Sequence, residues 1–409
     1  MQSFFRLQAP RCGLLFAAML LFNTHLALAA HTLRVGRFAA ISSISQAAKL
    51  AQDGDIIEIE AGEYAGDVAV WTQKQLSIRA VGGRVKLIAA GRSAEGKAIW
   101  VVRGGDITIQ GIDFQGTRVP DRNGAGIRLE AGNLIVRDCS FTDNENGILT
   151  AGGEATLEVE NSEFGHNGAG DGRSHNIYVG PLRKFKVSGS YFHHARSGHL
   201  LKSRARENLI FYNRLSDEAG GHASYELEFP NGGISYVIGN LIEQSASTEN
   251  TAMISVGAEG YSWPENELYL SSNTIVDDLP SAGTFLFAKP GDIKLVAVNN
   301  LLVGNGLVKA GKTVTAGMAY AWKIPGVSGD FENNYLVDRT QFVFPAGFDY
   351  RLKTTAPFAS GAKFIVPAMA NRQDLSPQFE YLFPVGKIIL TVKPELPGAF
   401  QTGRKEQMR

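Results

Sequence analysis

The sequence predicts an all-β protein that folds as a single-stranded right-handed parallel β-helix with a short capping helix at its N-terminal end. Two observations lead to this prediction. A three-residue phrase, in which a small or amide residue is followed by any residue and then an apolar one, recurs eight times at intervals of 23 to 34 positions. Short strand-like stretches precede each phrase, with no helical pattern between them. The phrase begins at Cys139, Ser162, Ser190, Asn213, Asn240, Asn273, Asn300 and Asn334.

A period of this length is typical of one coil of a solenoid. A single coil cannot bury its own inward side chains, whereas stacked coils pair strand on strand about 4.8 Å apart and enclose a continuous apolar core. Equivalent residues then stack. We therefore expect the asparagines from Asn213 to Asn334 to form a hydrogen-bonded ladder at a bend, with Cys139, Ser162 and Ser190 as smaller members. A β-sandwich is the alternative, but its strands seldom repeat one phrase so often.

The predicted β-helix also has recognisable ends. Apolar residues at 44–51 fall on one helical face, and Ser42 or Ser43 can cap the start of that helix. A strand at 55–59 and a Gly-Glu-Tyr sequence at 62–64 follow. This succession resembles the N-terminal cap of the pectate lyase-like superfamily, and the segments at 349–352 and 356–362 resemble its closing segment. The resemblance implies a right-handed parallel β-helix. It leaves the activity open, because the superfamily hosts lyases, hydrolases, esterases, epimerases and adhesins.

The first thirty residues have the order of a secretory signal. Arg6 and Arg11 precede an apolar run at 14–22, which is followed by small residues at 27–30. We therefore expect a signal peptide at 1–30, one β-helix domain at 31–400 and a C-terminal tail at 401–409. The expected location is the periplasm or the outside of the cell.

Charge and cysteine content narrow the class further. The chain has 40 basic and 40 acidic side chains, a balance that suggests neither a nucleic-acid partner nor an anionic membrane surface. After the apolar run at 14–22, no segment approaches about 20 apolar residues, so we expect no membrane insertion. Cys139 is the only cysteine beyond the signal, which excludes an intramolecular disulfide. The chain is expected to be a monomer stabilised by a large core.

Charged and aromatic residues concentrate in three consecutive coils at 171–231. His199 follows His175 by 24 residues, and Lys202 follows Tyr178 by the same 24. If neither coil bulges, these pairs stack on the wall of the solenoid. The next strand carries Glu226 and Glu228, which are two apart and are therefore expected to face the same way. Residues expected to bind substrate are Glu226, Glu228, Tyr225, Asn231 and Arg173.

These residue types suit the cleavage of an acidic polysaccharide by β-elimination. The enzyme must neutralise a uronate carboxylate, remove the C5 proton with a base, and protonate the leaving oxygen. The residues expected to fill these catalytic roles are Lys202, Tyr178, His175, His199 and Arg204. The coil pair is also similar to that of alginate lyases and chondroitinase B-type lyases, where a strand ending in Lys-Ser precedes a strand with the catalytic arginine. Lys202-Ser203 matches the first strand, but Glu226 and Glu228 stand where the arginine is expected.

That departure leaves other functions open. Glu226 and Glu228 could serve a glycoside hydrolase as its carboxylate pair, and a C5-epimerase shares the proton abstraction of a lyase. Glu226, Glu228 and Asp217 could instead hold a Ca²⁺ ion that binds the substrate carboxylate. A third hypothesis is a non-catalytic β-helix of the cell envelope that binds polysaccharide.

Overall fold

The computed structural model describes residue 1 and residues 31–308, 328–361, 363–371 and 373–401. Apart from its first residue, the predicted signal peptide at 1–30 lies outside the described residues, as does the tail from 402 onward. Among the described helices, none combines the length and the hydropathy that a membrane crossing requires.

Strands dominate the described chain, which contains two α-helices, α1 at Ile44–Leu50 and α2 at Pro357–Gly361, and short 3₁₀ turns at Arg339–Gln341 and Pro345–Gly347. The strands are β1 Thr32–Val35, β2 Ile56–Ala65, β3 Ala69–Trp71, β4 Gln75–Ile88, β5 Ala98–Gln110, β6 Ile112–Gln115, β7 Ala125–Arg137, β8 Ser140–Thr142, β9 Asn146–Thr150, β10 Gly153–Glu160, β11 Glu163–Gly165, β12 Ile177–Val179, β13 Leu182–Ser188, β14 Tyr191–His193, β15 His199–Ser203, β16 Glu207–Phe211, β17 Arg214–Ser216, β18 Tyr225–Phe229, β19 Ile234–Ile238, β20 Leu241–Gln244, β21 Ala252–Val256, β22 Glu267–Ser271, β23 Thr274–Asp277, β24 Thr284–Ala288, β25 Lys294–Val298, β26 Leu301–Val303, β27 Leu307–Val308, β28 Ser328–Glu332, β29 Tyr335–Val337, β30 Phe342–Phe344, β31 Asp349–Leu352, β32 Phe379–Tyr381 and β33 Lys387–Ile389.

Strands β1 to β29 form one parallel sheet wound into about ten coils, so the predicted right-handed parallel β-helix is confirmed. Each strand pairs with strands of the coils before and after it, and this divides the solenoid into three walls. The first wall contains β9, β12, β15, β18, β21 and β24. The second contains β10, β13, β16, β19, β22 and β25, and the third contains β8, β11, β14, β17, β20, β23 and β26.

Equivalent inward side chains stack along the axis and fill the core. Phe114, Phe141, Phe164 and Phe192 are fully buried at the same position of four successive coils. Their ring centroids are 5.0, 4.7 and 4.7 Å apart, and neighbouring rings are nearly parallel. Parallel stacking is imposed by the strand spacing, which places identical side chains one above another.

The predicted asparagine ladder is confirmed at the bend between the second and third walls. The side-chain amide of each asparagine donates to the side-chain oxygen of the asparagine one coil on, at 3.0, 3.0, 2.9 and 2.7 Å from Asn213 to Asn334. Backbone N–H groups extend the ladder backwards from Asn213 through Ser190, Ser162 and Cys139. The ladder satisfies polar groups that the sharp bend would otherwise bury without partners.

Helix α1 covers the N-terminal end of the solenoid, whereas the chain beyond β29 packs on its outer surface. Ser43 caps α1 by accepting from the backbone N–H of Gln46, and Asp67 of the first coil accepts from Ile44 and Ser45. Beyond β29 the chain leaves the coils, forms the antiparallel hairpin β30–β31 and α2, and then packs back along the solenoid. The backbone N–H of Gly386, for example, donates to the carbonyl oxygen of Gly189 at 2.7 Å.

Candidate functional site

The outer face of the first wall carries a connected group of polar side chains, here called the lysine face. Tyr178, Lys202 and Glu228 are adjacent in the parallel register of β12, β15 and β18. Their neighbours Ile177, Leu201 and Leu227 are fully buried in the core. The lysine face comprises His175, Tyr178, His199, Lys202, Arg204, Glu228 and Glu259.

The two histidines lie one above the other in successive coils, as the 24-residue spacing predicts, with their rings edge to face. Their ring centroids are 4.4 Å apart, and the backbone N–H of His199 donates to Nδ1 of His175 at 3.0 Å. Burial lowers the pKa of His175 well below its usual value of 6.5, helped by the charge of His199, and burial also lowers the pKa of His199. Both rings are therefore neutral at pH 7, and the ring proton of His175 lies on Nε2. The ring of Tyr225 lies 4.9 Å from that of His199.

Glu228 is the central anion of the lysine face. Its Oε2 lies 2.8 Å from Nε2 of His199 and 3.0 Å from Nζ of Lys202. Burial by itself raises the pKa of Glu228, but the hydrogen bond with His199 and the charge of Lys202 outweigh burial, and the pKa is lowered. A buried carboxylate between two such partners stays ionised and holds both of them in place.

Arg204 and Lys202 together hold a second carboxylate. Nη1 and Nη2 of Arg204 lie 2.7 and 2.9 Å from the two oxygens of Glu259, and Nζ of Lys202 lies 3.3 Å from Oε1 of the same residue. Arg204 also donates from Nε to the hydroxyl oxygen of Tyr178 at 2.8 Å and from Nη1 to the side-chain oxygen of Asn231. The guanidinium is thus fixed on three sides, which presents its fork to a carboxylate in a single orientation.

Most of the residues predicted from the sequence lie in or beside the lysine face, and Arg173 does not. Arg173 is exposed in the turn at 170–173, where its backbone N–H donates to Asp171. No contact among the described residues connects it to Lys202 or Arg204. Glu259 was missed by the sequence argument. It lies 55 residues after Arg204 in the loop that follows β21, and neither the repeat nor a local motif marks it.

The prediction that Glu226 and Glu228 face the same way is wrong. Glu226 lies between Leu200 and Met253 in the stack of coils, fully buried in the core. β18 begins at a bend, so residues 226 and 227 both face inward, and strict alternation starts only at Leu227. Neither carboxyl oxygen of Glu226 has a hydrogen-bond partner among the described residues. Glu226 therefore cannot contact a substrate bound on the outer face.

Asp217 is also buried, and it accepts from the backbone N–H of Ala223 at 2.7 Å. Burial raises its pKa to about 6 and raises the pKa of Glu243 to about 8. Burial, reinforced by the charges of Asp217 and Glu243, raises the pKa of Glu226 well above 4.5. Asp217 and Glu226 thus belong to an interior acid group, whereas Glu228 is engaged outside with His199 and Lys202. These three carboxyls do not supply the six to eight converging oxygens that Ca²⁺ takes, so they do not fit a calcium ion.

Comparisons with known proteins support the fold of the chain but do not assign it to a family. No protein-family model matches the chain, and neither does any curated protein. The crystal structure of pectate lyase Pel9A is similar with a TM-score of 0.56 at 12% identity, covering 86% of this chain and 97% of that one. The chain shares the fold of that pectate lyase. A pectin methylesterase variant in complex with a hexasaccharide matches at a TM-score of 0.37 and 12% identity, covering 82% of this chain and 96% of that one.

Proposed function

We propose that this protein is an exported enzyme that cleaves a uronate-containing polysaccharide by β-elimination on the lysine face. The β-helix fold that it shares with pectate lyase Pel9A, a polysaccharide-cleaving enzyme by its name, supports activity on a polysaccharide. The residues of the lysine face support an acidic substrate.

The carboxylate of Glu259 is the observation that carries this proposal. Both of its oxygens are bound by the fork of Arg204, and one of them by Lys202, although its side chain is 46% exposed. Arg204 and Lys202 are far less exposed, at 19% and 12%. The wall therefore contains a preformed carboxylate-binding seat, occupied by a side chain from an exposed loop. A uronate carboxylate has the same planar geometry and can replace Glu259 there.

The remaining residues suit the proton transfers. The hydroxyl oxygen of Tyr178 accepts from Arg204, so its own proton is free to be donated to the leaving oxygen of the glycosidic bond. Lys202 is the proposed base for the C5 proton. It forms ion pairs with Glu228 and Glu259 as an ammonium group. It releases one proton to solvent before the step. Its neutral amine then takes the C5 proton, the C4–O bond breaks as the C4–C5 double bond forms, and Tyr178 protonates the leaving oxygen. Displacement of Glu259 by the substrate leaves Glu228 as its remaining carboxylate partner in the protein.

The alternative of a hydrolase that uses Glu226 and Glu228 loses its support, because the two carboxyls lie on opposite sides of the wall. A C5-epimerase would use the same carboxylate seat and the same base, and only its product differs. A polysaccharide-binding protein would use the seat without the proton transfers.

A panel of uronate polymers separates these functions. The protein is incubated with polygalacturonate, alginate and chondroitin, and both ultraviolet absorbance and new reducing ends are measured. Elimination creates a conjugated double bond, so both signals rise together. Reducing ends without absorbance would indicate hydrolysis, inversion at C5 without cleavage would indicate epimerisation, and binding without any product would indicate a binding protein. Each of these three outcomes contradicts the proposal.

The carboxylate seat is tested separately with Glu259→Gln. The neutral amide competes less well for Arg204, so we expect a lower KM for the polymer and a smaller change in kcat. Glu265→Gln is the matched control, since Glu265 is an exposed carboxylate in the same loop. Equal KM values in the two variants would show that Glu259 does not occupy the substrate's place.

A further inference from the structure

Three histidines meet at the bend that follows the third wall, away from the lysine face. His193 ends β14 and His194 follows it, whereas His166 follows β11 in the preceding coil. His166 and His194 occupy the same corner position, and both have left-handed backbones with φ of +57° and +45°. Their rings therefore stack across the coils, with centroids 4.9 Å apart.

The ring nitrogens of this histidine corner, His166, His193 and His194, converge. Nδ1 of His193 lies 2.9 Å from Nδ1 of His194, and one nitrogen from each of the three rings lies within 4.8 Å of the others. Gly165 makes the convergence possible, because a Cβ at that position would lie 2.4 Å from Nε2 of His193. The backbone thus leaves room for the ring where any other residue would displace it.

A carboxylate fixes the orientation of the central ring. Oε1 of Glu163 lies 3.1 Å from Nε2 of His193, on the side of the ring opposite the nitrogen that faces His194. Metal-binding histidines usually bond to a carboxylate or a carbonyl through one ring nitrogen and coordinate the metal through the other. His193 has this arrangement. The nearby guanidinium of Arg196 is ion-paired with Asp143, which reduces its repulsion of a cation.

We propose that His166, His193 and His194 bind a divalent transition-metal ion, with zinc as the representative ion. Imidazole nitrogens suit zinc, copper and nickel, whereas calcium and magnesium prefer oxygen. In a tetrahedral zinc site with Zn–N distances of about 2.05 Å, ligand nitrogens are about 3.3 Å apart. The separation between His193 and His194 is close to that value, and the nitrogen of His166, within 4.8 Å of both, belongs to an exposed side chain.

The fourth coordination position would be open. His166 and His194 line a cleft together with Arg196, Gly220, His222 and Glu249. Three protein ligands with an accessible fourth position are typical of zinc sites that bind water or a substrate oxygen, whereas purely structural sites use four protein ligands. The histidine corner shares no residue with the lysine face, so this inference does not depend on the proposed function.

Metal binding is measured on protein without a polyhistidine tag, stripped with a chelator and dialysed against zinc alone. We expect one zinc ion per chain by elemental analysis. His166→Asn and His194→Asn are expected to lose zinc at concentrations that saturate the wild type. Asparagine is chosen because it tolerates the left-handed backbone at both positions. Glu163→Gln keeps all three ligands, and we expect it to weaken binding by about 10- to 100-fold.

His222→Asn is the control, because His222 lies in the same cleft but outside the cluster, with Nδ1 bonded to the carbonyl oxygen of Ser247. It should bind zinc like the wild type. Melting temperatures of the metal-free variants identify any that are misfolded. Cobalt substitution gives a second readout, since four-coordinate Co²⁺ has intense visible bands. The proposal is overturned if the stripped wild type takes up no more zinc than the His166→Asn/His194→Asn double variant. It is also overturned if His222→Asn weakens zinc binding as much as His166→Asn and His194→Asn do.

Discussion

Glu226 and Glu228 are two residues apart on one strand, yet they lie on opposite sides of the first wall. Glu228 is ionised on the outer face, between His199 and Lys202. Glu226 is inside, beside Leu200 and Met253, and its carboxyl oxygens have no hydrogen-bond partner among the described residues. The comparison shows that the local bend, and not the residue type, decides which of two acids can take part in chemistry.

The largest effect, on the rate of polymer cleavage, is expected from removing Lys202, the ion-pair partner of Glu228. Lys202→Ala should lower the rate of polymer cleavage by about 10²- to 10⁴-fold, the range for loss of a general acid or base. The circular dichroism spectrum should stay that of the wild type, because Glu228 keeps His199. The control is Lys184→Ala, which removes a wall lysine paired with Glu207 at 3.0 Å. A wild-type rate in Lys202→Ala would remove this lysine from the mechanism.

Replacement of the outer acid itself should destabilise the fold. Glu228→Met leaves the partly buried Lys202 with Glu259 alone and removes the partner of His199. We expect the free energy of unfolding to fall by about 1.5–3 kcal/mol, the range for a lost hydrogen bond to a charged group. Denaturant titration at pH 7 measures it. No loss of stability would mean that the ion pairs of Glu228 contribute nothing to the fold.

The same substitution at Glu226, the buried acid, should change the free energy of unfolding in the opposite direction. Glu226→Met introduces a methionine next to Met253, which occupies the equivalent position in the following coil. It removes an unpartnered polar group from the core, and we expect the free energy of unfolding to rise by about 1–3 kcal/mol. Because the strand and the new side chain match those of Glu228→Met, the two variants form a direct pair. A destabilised Glu226→Met would show that this carboxyl has a favourable interior interaction.

The smallest effect, at most about 1.4 kcal/mol for each pH unit, is expected in the pH dependence of that gain. Burial raises the pKa of Glu226, so the carboxyl is protonated in the folded protein at pH values where the unfolded chain has already ionised it. The unfolded state then binds fewer protons than the folded state. Glu226 therefore makes its full contribution to the free energy of unfolding below about pH 4, and this contribution is lost as the pH rises towards the pKa of Glu226 in the folded protein. The advantage of Glu226→Met should therefore grow above pH 5, by up to about 1.4 kcal/mol per pH unit. An advantage that is constant from pH 5 to 8 would show that Glu226 is already ionised in the fold.

The sequence by itself determined the length of each coil and which residues stack in successive coils. The asparagine ladder, and the pairing of His175 with His199 and of Tyr178 with Lys202, follow from counting residues, because equal positions in successive coils must lie one strand apart. The histidine corner was within reach of the same count. His194 follows His166 by 28 residues, the distance from Phe164 to Phe192, but neither histidine lies in a repeated phrase.

Only the tertiary structure decided where the side chains face at the bends and which loops return to the walls. The inward turn of Glu226 depends on the backbone conformation at the start of β18, which alternation within a strand does not describe. Glu259 reaches Arg204 through the path of a loop, and no repeat constrains that path. Coil stacking is periodic and can be read from spacing, whereas bends and loops are set by local backbone angles and by long-range contacts, which have no period in the sequence.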